Sequence, residues 1–178
     1  MPHLWVIFTR MDQPGFTIER AAPSDIAAIR TIESDPHYDG LVGRWPEERH
    51  RAEMALASSL YFVLRDRKGE VAGFALIQNL GDSDRKCHLK RIAVREPGAG
   101  AGSALLRGLL DRLYTETDVN RIDLDVFLGN DRAKRAYEKA GFAVEGVLRD
   151  YHRAADGGFS SMWLMSILRS DWALRAGS

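Results

Sequence analysis

A glycine-rich turn joins a strand-like run to a helix-like run near the middle of the chain. The apolar run ends before Pro97, and alternate glycines follow at Gly98, Gly100 and Gly102. Glycine lets the backbone bend close to a ligand, and the first N–H groups of a helix lack internal partners and attract phosphate. The spacing therefore predicts an anion site, with a simple tight turn as the alternative interpretation.

Three side chains have chemistry that suits proton transfer or amide binding. Tyr137 lies seven residues after Asn130 on the apolar side of a predicted helix, where a core aromatic is the alternative interpretation. A phenol with a pKa of about 10 keeps its proton at pH 7 and can donate it. Asn130 suits a helix N-cap, and His88, in the strand before the glycines, belongs to the residue type that titrates near neutral pH.

Composition limits the class of protein. The chain has 178 residues, 45% of them hydrophobic, which is enough for one domain with a sizeable core. Basic and acidic residues balance at 25 each, so no global charge draws the chain to nucleic acid or to anionic membranes. The single cysteine, Cys87, excludes an internal disulfide and a cysteine zinc cluster. We expect a cytoplasmic setting and no metal site.

The N-terminal segment allows two interpretations. Its apolar run is too short to span a membrane and lacks a basic leader, so neither an anchor nor a signal peptide is predicted. If Met11 is the true start, residues 1–10 are a disordered extension. Otherwise they add an edge strand to the sheet.

Hydrophobic periodicity and turn residues predict the elements that position these groups, in the order β-α-α-β-β-β-α-β-α-β-β. The predicted strands are residues 16–20, 60–65, 71–78, 87–94, 121–127, 142–151 and 159–167, and the predicted helices are 24–34, 46–58, 103–115 and 130–140. This order predicts one mixed α/β domain at 16–168. Residues 1–15 form an N-terminal extension, disordered or an edge strand, and 169–178 form a C-terminal tail.

Two nucleotide-binding interpretations of the glycines fit poorly. A P-loop needs a lysine that this turn lacks. A Rossmann dinucleotide site would have its ribose-binding carboxylate at Asp123 or Asp125, about 20 residues on. The glycine spacing is wrong for that fingerprint, and the preceding strands join as hairpins, so the Rossmann interpretation is a minor alternative.

Residues 91–106, 124–142 and 145–149 together resemble the GNAT superfamily of acetyl-CoA-dependent N-acetyltransferases. The resemblance covers roughly 16–168 and is closest to branches that acetylate protein N-termini or small amines such as amino acids and phosphinothricin. It implies a single-domain GNAT fold: a mixed, mostly antiparallel sheet of about seven strands with a central parallel pair, flanked by about four helices. One departure is Pro97, where the family usually has arginine or glutamine in a loop about two residues longer.

The resemblance also implies how acetyl-CoA binds. Its pantetheine arm would add to the backbone of the strand before the loop at Ile92, Ala93 and Val94. Its pyrophosphate would be held by Arg95 and by the loop and first helical turn, which comprise Gly98, Ala99, Gly100, Ala101, Gly102 and Ser103. Asn130 has two roles open, N-cap or hydrogen bond to pantetheine, and Tyr137 would be the general acid that protonates the CoA sulfur.

The general base and the acceptor site are less well marked. His88 is the candidate base, with Glu33 and Asp125 as alternatives. Acceptor contacts are expected from the region between the first two helices and from the last hairpin, with Glu33, His37, Tyr38, Trp45 and Tyr151 as candidates. The expected partner is a primary amine, a small molecule or a protein N-terminus, and the chain is expected to be a monomer or homodimer. The contrasting hypothesis is a catalytically silent acyl-CoA sensor or interaction module.

Overall fold

The structure, a computed structural model, describes residues 15–154 and 156–176. Seven strands form one sheet in this part of the chain: β1 (Thr17–Arg20), β2 (Leu60–Arg65), β3 (Val71–Gln78), β4 (Lys86–Val94), β5 (Arg121–Phe127), β6 (Ala143–Arg153) and β7 (Phe159–Leu168). The α-helices are α1 (Ile26–Glu33), α2 (Glu47–Met54), α3 (Ala101–Glu116), α4 (Asp131–Ala140) and α5 (Arg169–Ala176), with 3-10 turns at Pro23–Asp25 and Pro36–Tyr38.

The strand order is β1-β2-β3-β4-β5-β7-β6, and the sheet is antiparallel except between β4 and β5. That pair is parallel because α3 carries the chain across one face of the sheet before β5 returns beside β4. The predicted mixed sheet of seven strands with a central parallel pair is confirmed. A single parallel pair among the described strands also rules out the Rossmann alternative, which requires a mostly parallel sheet.

One helix was missed by the sequence patterns. Residues predicted to be a C-terminal tail instead form α5, which makes five α-helices in the described residues where about four were expected. The reason is a set of long-range polar contacts: the Arg169 guanidinium bonds carbonyls near the end of α3, and the Trp172 indole donates to Asp111 at 2.8 Å. Of the predicted N-terminal extension, 1–15, residues 1–14 lie outside the described residues.

The sheet separates two buried clusters. On one face, alternate β5 side chains pack with α3, as Ile122 and Leu124 do with Leu105. On the other face, α1 packs over β2 and β3, with Ile29 against Phe74. The buried side chains of α3 form the apolar stripe that its sequence predicts.

The centre of the sheet is irregular at β4, and this irregularity shapes the candidate site. The register passes from Leu76–Arg91 to Ile77–Leu89, so Lys90 is an extra residue that forms a bulge. The parallel ladder with β5 ends at the pair His88–Asp123. Beyond that pair β4 and β5 separate, which opens a gap between them.

Candidate active site

Backbone groups of β4 face the gap. The Arg95 N–H donates to the Ala72 carbonyl on the β3 side at 2.8 Å. Because N–H and C=O groups alternate sides along a strand, those of Val94 and Ile92 point away from β3, toward the gap. Two residues of β4 therefore present donors and acceptors to a ligand that lies along the strand.

The glycine loop forms a cradle at the end of this gap. Gly98 and Gly100 have φ of +95° and +85°, in the left-handed region that favours glycine. A Cβ built at Gly98, Gly100 or Gly102 would meet no atom within 4 Å, so the space above these residues is open. Helix α3 begins at Ala101, and its first N–H groups have no acceptor within the helix. The loop and this helix end therefore offer several donors to an anion.

Helix α4 brings a phenol toward the same gap. Asn130 caps the helix, because its Oδ1 accepts from the Ala133 N–H at 3.2 Å, which supports the N-cap role. Tyr137 packs edge-on against Phe142, with ring centroids 5.7 Å apart. Burial raises the pKa of Tyr137, and the charges of Asp125 and Tyr38 act in the same direction. Tyr137 therefore keeps its proton at neutral pH and is a donor.

His88 lies between two carboxylates of β5. Its Nδ1 is 2.7 Å from Asp123 Oδ1, and its Nε2 is 3.4 Å from Asp125 Oδ1. Burial alone would lower the pKa of His88, but hydrogen bonds and charges from both carboxylates raise it to about 9. The ring is an imidazolium at neutral pH with both N–H groups directed at oxygen. His88 therefore does not fit the role of general base that the sequence suggested.

Asp125 is the carboxylate at the gap, two residues past the end of the β4–β5 ladder. Its side chain is 15% exposed. Burial would raise its pKa, but the hydrogen bond and charge of His88, with smaller contributions from Lys90 and His152, lower it. Asp125 is thus an anion that His88 holds in place and that retains access to solvent.

Glu33 and Trp45 belong to a buried cluster instead of an open acceptor site. The Glu33 carboxylate, 1% exposed, accepts from the Trp45 N–H at 3.3 Å and lies 3.1 Å from His50 Nε2. It also pairs with Arg91. The Arg49 and Arg91 guanidinium carbons each lie 3.9 Å from the Trp45 ring centroid. These contacts fix the segment between α1 and α2 to β4, and they leave neither Glu33 nor Trp45 free for an acceptor.

The remaining acceptor candidates differ in exposure. Tyr38 is buried, and its hydroxyl bonds the backbone of Val94, while the ring of His37 packs edge-on against it. Tyr151 is 58% exposed and lines an open concavity of about 620 Å³ beside a bulge of β6, where Asp150 has a φ of +50°. Tyr151 and the exposed His37 are therefore the candidates that a ligand can reach directly.

A sequence model of the Acetyltransferase (GNAT) family matches residues 26–142, which include the cradle, the gap and Tyr137. The chain belongs to this family. The match confirms the predicted class, an N-acetyltransferase domain that uses acetyl-CoA. In the part of the chain that the structure describes, no helix has both the length and the apolar character needed to cross a membrane.

Named relatives of this GNAT chain agree with the class. The L-amino acid N-acetyltransferase AaaT of Escherichia coli is 28% identical over 141 residues, covering 75% of this chain and 86% of AaaT. YdaF of Bacillus subtilis, named as a ribosomal N-acetyltransferase, is 27% identical over 105 residues, and the chain spans only 57% of its length. These two names correspond to the branches that the sequence suggested.

The fold agrees with solved structures of the same class. Spermidine N-acetyltransferase from Vibrio cholerae, in complex with CoA and spermine, superposes with a TM-score of 0.80 at 20% identity. The superposition covers 90% of this chain and 99% of that structure. It confirms the predicted GNAT fold.

The residues present fit acetyl-CoA. The open cradle above Gly98 and Gly100 can admit a pyrophosphate, and the gap-facing backbone of β4 can pair with an amide-bearing arm. One predicted contact is otherwise engaged: the Arg95 guanidinium bonds Asp66 Oδ2 at 2.8 Å. The cradle therefore depends on backbone N–H groups.

The pairing of these side chains was not predicted. His88, Asp123 and Asp125 were each expected separately and not as one group. The available signal was their spacing, because carboxylates at alternate positions of β5 share a face, and β5 was predicted to lie beside the strand of His88. Arg91 was missed altogether, because an arginine within an apolar run carries no local sign of a buried partner.

Proposed function

We propose that this GNAT chain transfers the acetyl group of acetyl-CoA to a primary amine by direct attack in a ternary complex. The observation that carries the proposal is the convergence of three elements on one gap: the gap-facing backbone of β4, Asp125 of β5 and Tyr137 of α4. Cys87, the one cysteine of the chain, supports direct attack. It is 1% exposed, and burial raises the pKa of its thiol to about 12, so it stays a thiol and is a poor acyl carrier.

Tyr137 is the proposed general acid. When bound, acetyl-CoA supplies a thioester carbonyl open to an uncharged amine and a thiolate as leaving group. A thiol of ordinary pKa about 8.5 is more acidic than a phenol, so this proton transfer is uphill and requires the hydroxyl within hydrogen-bond reach of the departing sulfur. We propose that Tyr137, partly buried against the core, makes this contact from α4, and its raised pKa keeps the hydroxyl protonated across the physiological range.

Asp125 is the proposed anchor for the acceptor amine. An amine enters mostly as an ammonium ion, and a carboxylate at the gap attracts it and accepts an N–H hydrogen bond. Because the pKa of Asp125 is lowered, this carboxylate is a weak base, so we propose that water carries the proton away. His88 then acts as a positioning residue, since its imidazolium fixes the Asp125 carboxylate at 3.4 Å.

The acceptor class we propose is the α-amino group of an amino acid or of a polypeptide N-terminus. The names of AaaT and YdaF support this class. Tyr151, exposed beside the concavity of β6, is the proposed contact for the remainder of the acceptor. A panel of amino acids, N-terminal peptides and polyamines, assayed for thiol release from acetyl-CoA, tests the class. Tight CoA binding without turnover on any acceptor would favour the acyl-CoA sensor instead.

The role of Tyr137 is tested with Tyr137→Phe, which keeps the ring and removes the proton. We expect kcat to fall by about 10²–10⁴ while the Kd of acetyl-CoA, measured by calorimetry, stays close to that of the wild type. Tyr114→Phe is the matched control, because the Tyr114 hydroxyl is also buried but bonds the Ile167 carbonyl, away from the gap. Wild-type turnover in Tyr137→Phe would remove Tyr137 from the mechanism.

A further inference from the structure

The hydroxyl of Tyr38 bonds both backbone groups of one β4 residue. It donates to the Val94 carbonyl at 2.8 Å and accepts from the Val94 N–H at 2.9 Å. Tyr38 is 7% exposed, so the two bonds are shielded from water. A side chain from a segment 56 residues earlier in the chain therefore completes the edge of β4.

The bonded groups are the ones that face the gap. Arg95 bonds to β3 through its N–H, so the neighbouring Val94 presents its N–H and C=O on the opposite side. An N–H group has a single hydrogen and serves one strong acceptor at a time. A ligand carbonyl cannot accept from the Val94 N–H while the Tyr38 hydroxyl does.

We infer that Tyr38 competes with the pantetheine arm of acetyl-CoA for the backbone of Val94, so that binding of the cofactor displaces the Tyr38 hydroxyl. The inference rests on the proposed function, in which that arm adds to the edge of β4. The two hydrogen bonds make Tyr38 a positioning residue for the strand edge, and they lower the affinity for the cofactor.

Displacement reaches the acceptor side of the site. Tyr38 ends a 3-10 turn, and its own carbonyl accepts from the N–H groups of Leu41 and Val42 at 2.9 and 3.0 Å. The same segment continues to Trp45, whose N–H bonds Glu33. Release of Tyr38 by the cofactor therefore loosens residues 38–42, while the Trp45 contacts still hold the end of the segment. Cofactor binding thus comes before the final arrangement of the acceptor side.

The test is the affinity of Tyr38→Phe for CoA, measured by calorimetry beside the wild type and Tyr114→Phe. A net hydrogen bond contributes modestly, so removal of the competing hydroxyl should tighten CoA binding by about tenfold. Tyr114→Phe loses a comparable buried hydroxyl bond at a distance from the gap, so its CoA affinity should stay that of the wild type. Both variants should unfold at lower temperature than the wild type without ligand.

Two results would overturn the inference. Weaker CoA binding by folded Tyr38→Phe would make Tyr38 a direct cofactor contact, and unchanged binding would mean that no competition exists. If the wild type itself bound no CoA, the proposed function would fail before the competition could be considered. That outcome is distinguishable because it appears without any substitution.

A measurement on the wild type covers the case in which Tyr38→Phe fails to fold. Hydrogen exchange of the Leu41 and Val42 amides should become faster when CoA is added, because the turn in which they bond the Tyr38 carbonyl loses its side-chain tie to β4. Amides within α3, far from this segment, should not become faster. Slower or unchanged exchange at Leu41 and Val42 would contradict displacement.

Discussion

The imidazolium of His88 should make the stability of this protein depend on pH in a defined window. Its pKa rises from 6.5 to about 9 in the fold, because the carboxylates of Asp123 and Asp125 stabilise the protonated ring. Each tenfold change in proton affinity is worth about 1.4 kcal/mol, so the rise corresponds to about 3 kcal/mol of folding free energy. The contribution comes from charge pairs that are only partly exposed, at 18% for the His88 side chain.

The direction of this pH dependence follows from whether the folded or the unfolded chain loses the His88 proton first. Below pH 6.5 the folded and unfolded chains both carry the proton, so the full stabilisation is present. Between pH 6.5 and about 9 the unfolded chain becomes neutral first, and the advantage declines. Above pH 9 the folded ring is neutral as well and the contribution is gone.

His88→Gln isolates this contribution, because glutamine does not titrate. We expect the difference in unfolding free energy between the wild type and His88→Gln to shrink by about 3 kcal/mol from pH 6 to pH 10. Urea denaturation at intervals across this range measures it. Asp123→Asn is the control: it removes the carboxylate closest to His88 and should lower the pKa of the ring, as followed by NMR titration. A difference between wild type and His88→Gln that stays constant with pH would refute the charged pairing.

Two further substitutions test the cradle and the buried cluster. Gly102→Val places its side chain in the open space above the cradle, so the affinity for CoA, measured by calorimetry, should fall by about tenfold or more. Gly146→Val is the control: the space at Gly146 is also open, but this residue lies on β6, so the affinity should not change. Equal affinity in a folded Gly102→Val protein would place the pyrophosphate elsewhere. Glu33→Gln leaves Arg91 buried without its carboxylate and should reduce the unfolding free energy by about 3–5 kcal/mol in urea denaturation. The exposed pair Glu47–Arg51 provides the control, because Glu47→Gln should reduce the unfolding free energy by about 0.5 kcal/mol or less. Equal reductions in Glu33→Gln and Glu47→Gln would show that the buried cluster has no special stabilising role.

Three strands could be predicted to the residue. β2, β3 and β5 have the bounds expected from alternation and turn residues, Leu60–Arg65, Val71–Gln78 and Arg121–Phe127. The hairpin of β2 and β3 is specified locally, because the turn Asp66–Gly69 fixes where the two strands end and begin. Helix α4 also ends as expected, with Gly141 in the left-handed region at φ +108°.

Helix ends set by distant contacts could not be predicted in this way. The second helix was expected to reach Ser58 but ends at Met54. The Ser58 carbonyl accepts from the Leu80 N–H at 2.9 Å, which aligns this residue with the sheet instead of the helix. Helix α5 was missed for a related reason, since the Arg169 and Trp172 contacts that hold it lie more than 50 residues away in the chain.

The residues of the candidate site differ in the same way, since some depend on local spacing and others on contacts between distant segments. The glycine cradle and Tyr137 depend on spacing within one segment, so the sequence alone could predict them. The pairing of His88 with Asp123 and Asp125 depends on β4 and β5 being neighbours in register. The Tyr38–Val94 bonds depend on the fold of the segment between α1 and α2 over the sheet. Glu33 was expected at the acceptor site but is buried against Arg91. A carboxylate in an amphipathic helix pattern carries no sign that a buried arginine lies opposite it.

The bulge at Lys90 explains how one strand carries both charge clusters. His88 and Arg91 are three residues apart, and in a regular strand an odd separation places two side chains on opposite faces. The extra residue restores them to one face, where Asp123 and Asp125 meet His88 and Glu33 meets Arg91. Without the bulge, one of the two cations would turn toward the apolar cluster that contains Leu89 and Leu105, at the cost of burying a charge unpaired. The same bulge lies where β4 parts from β5, so the feature that opens the gap also keeps its cations paired.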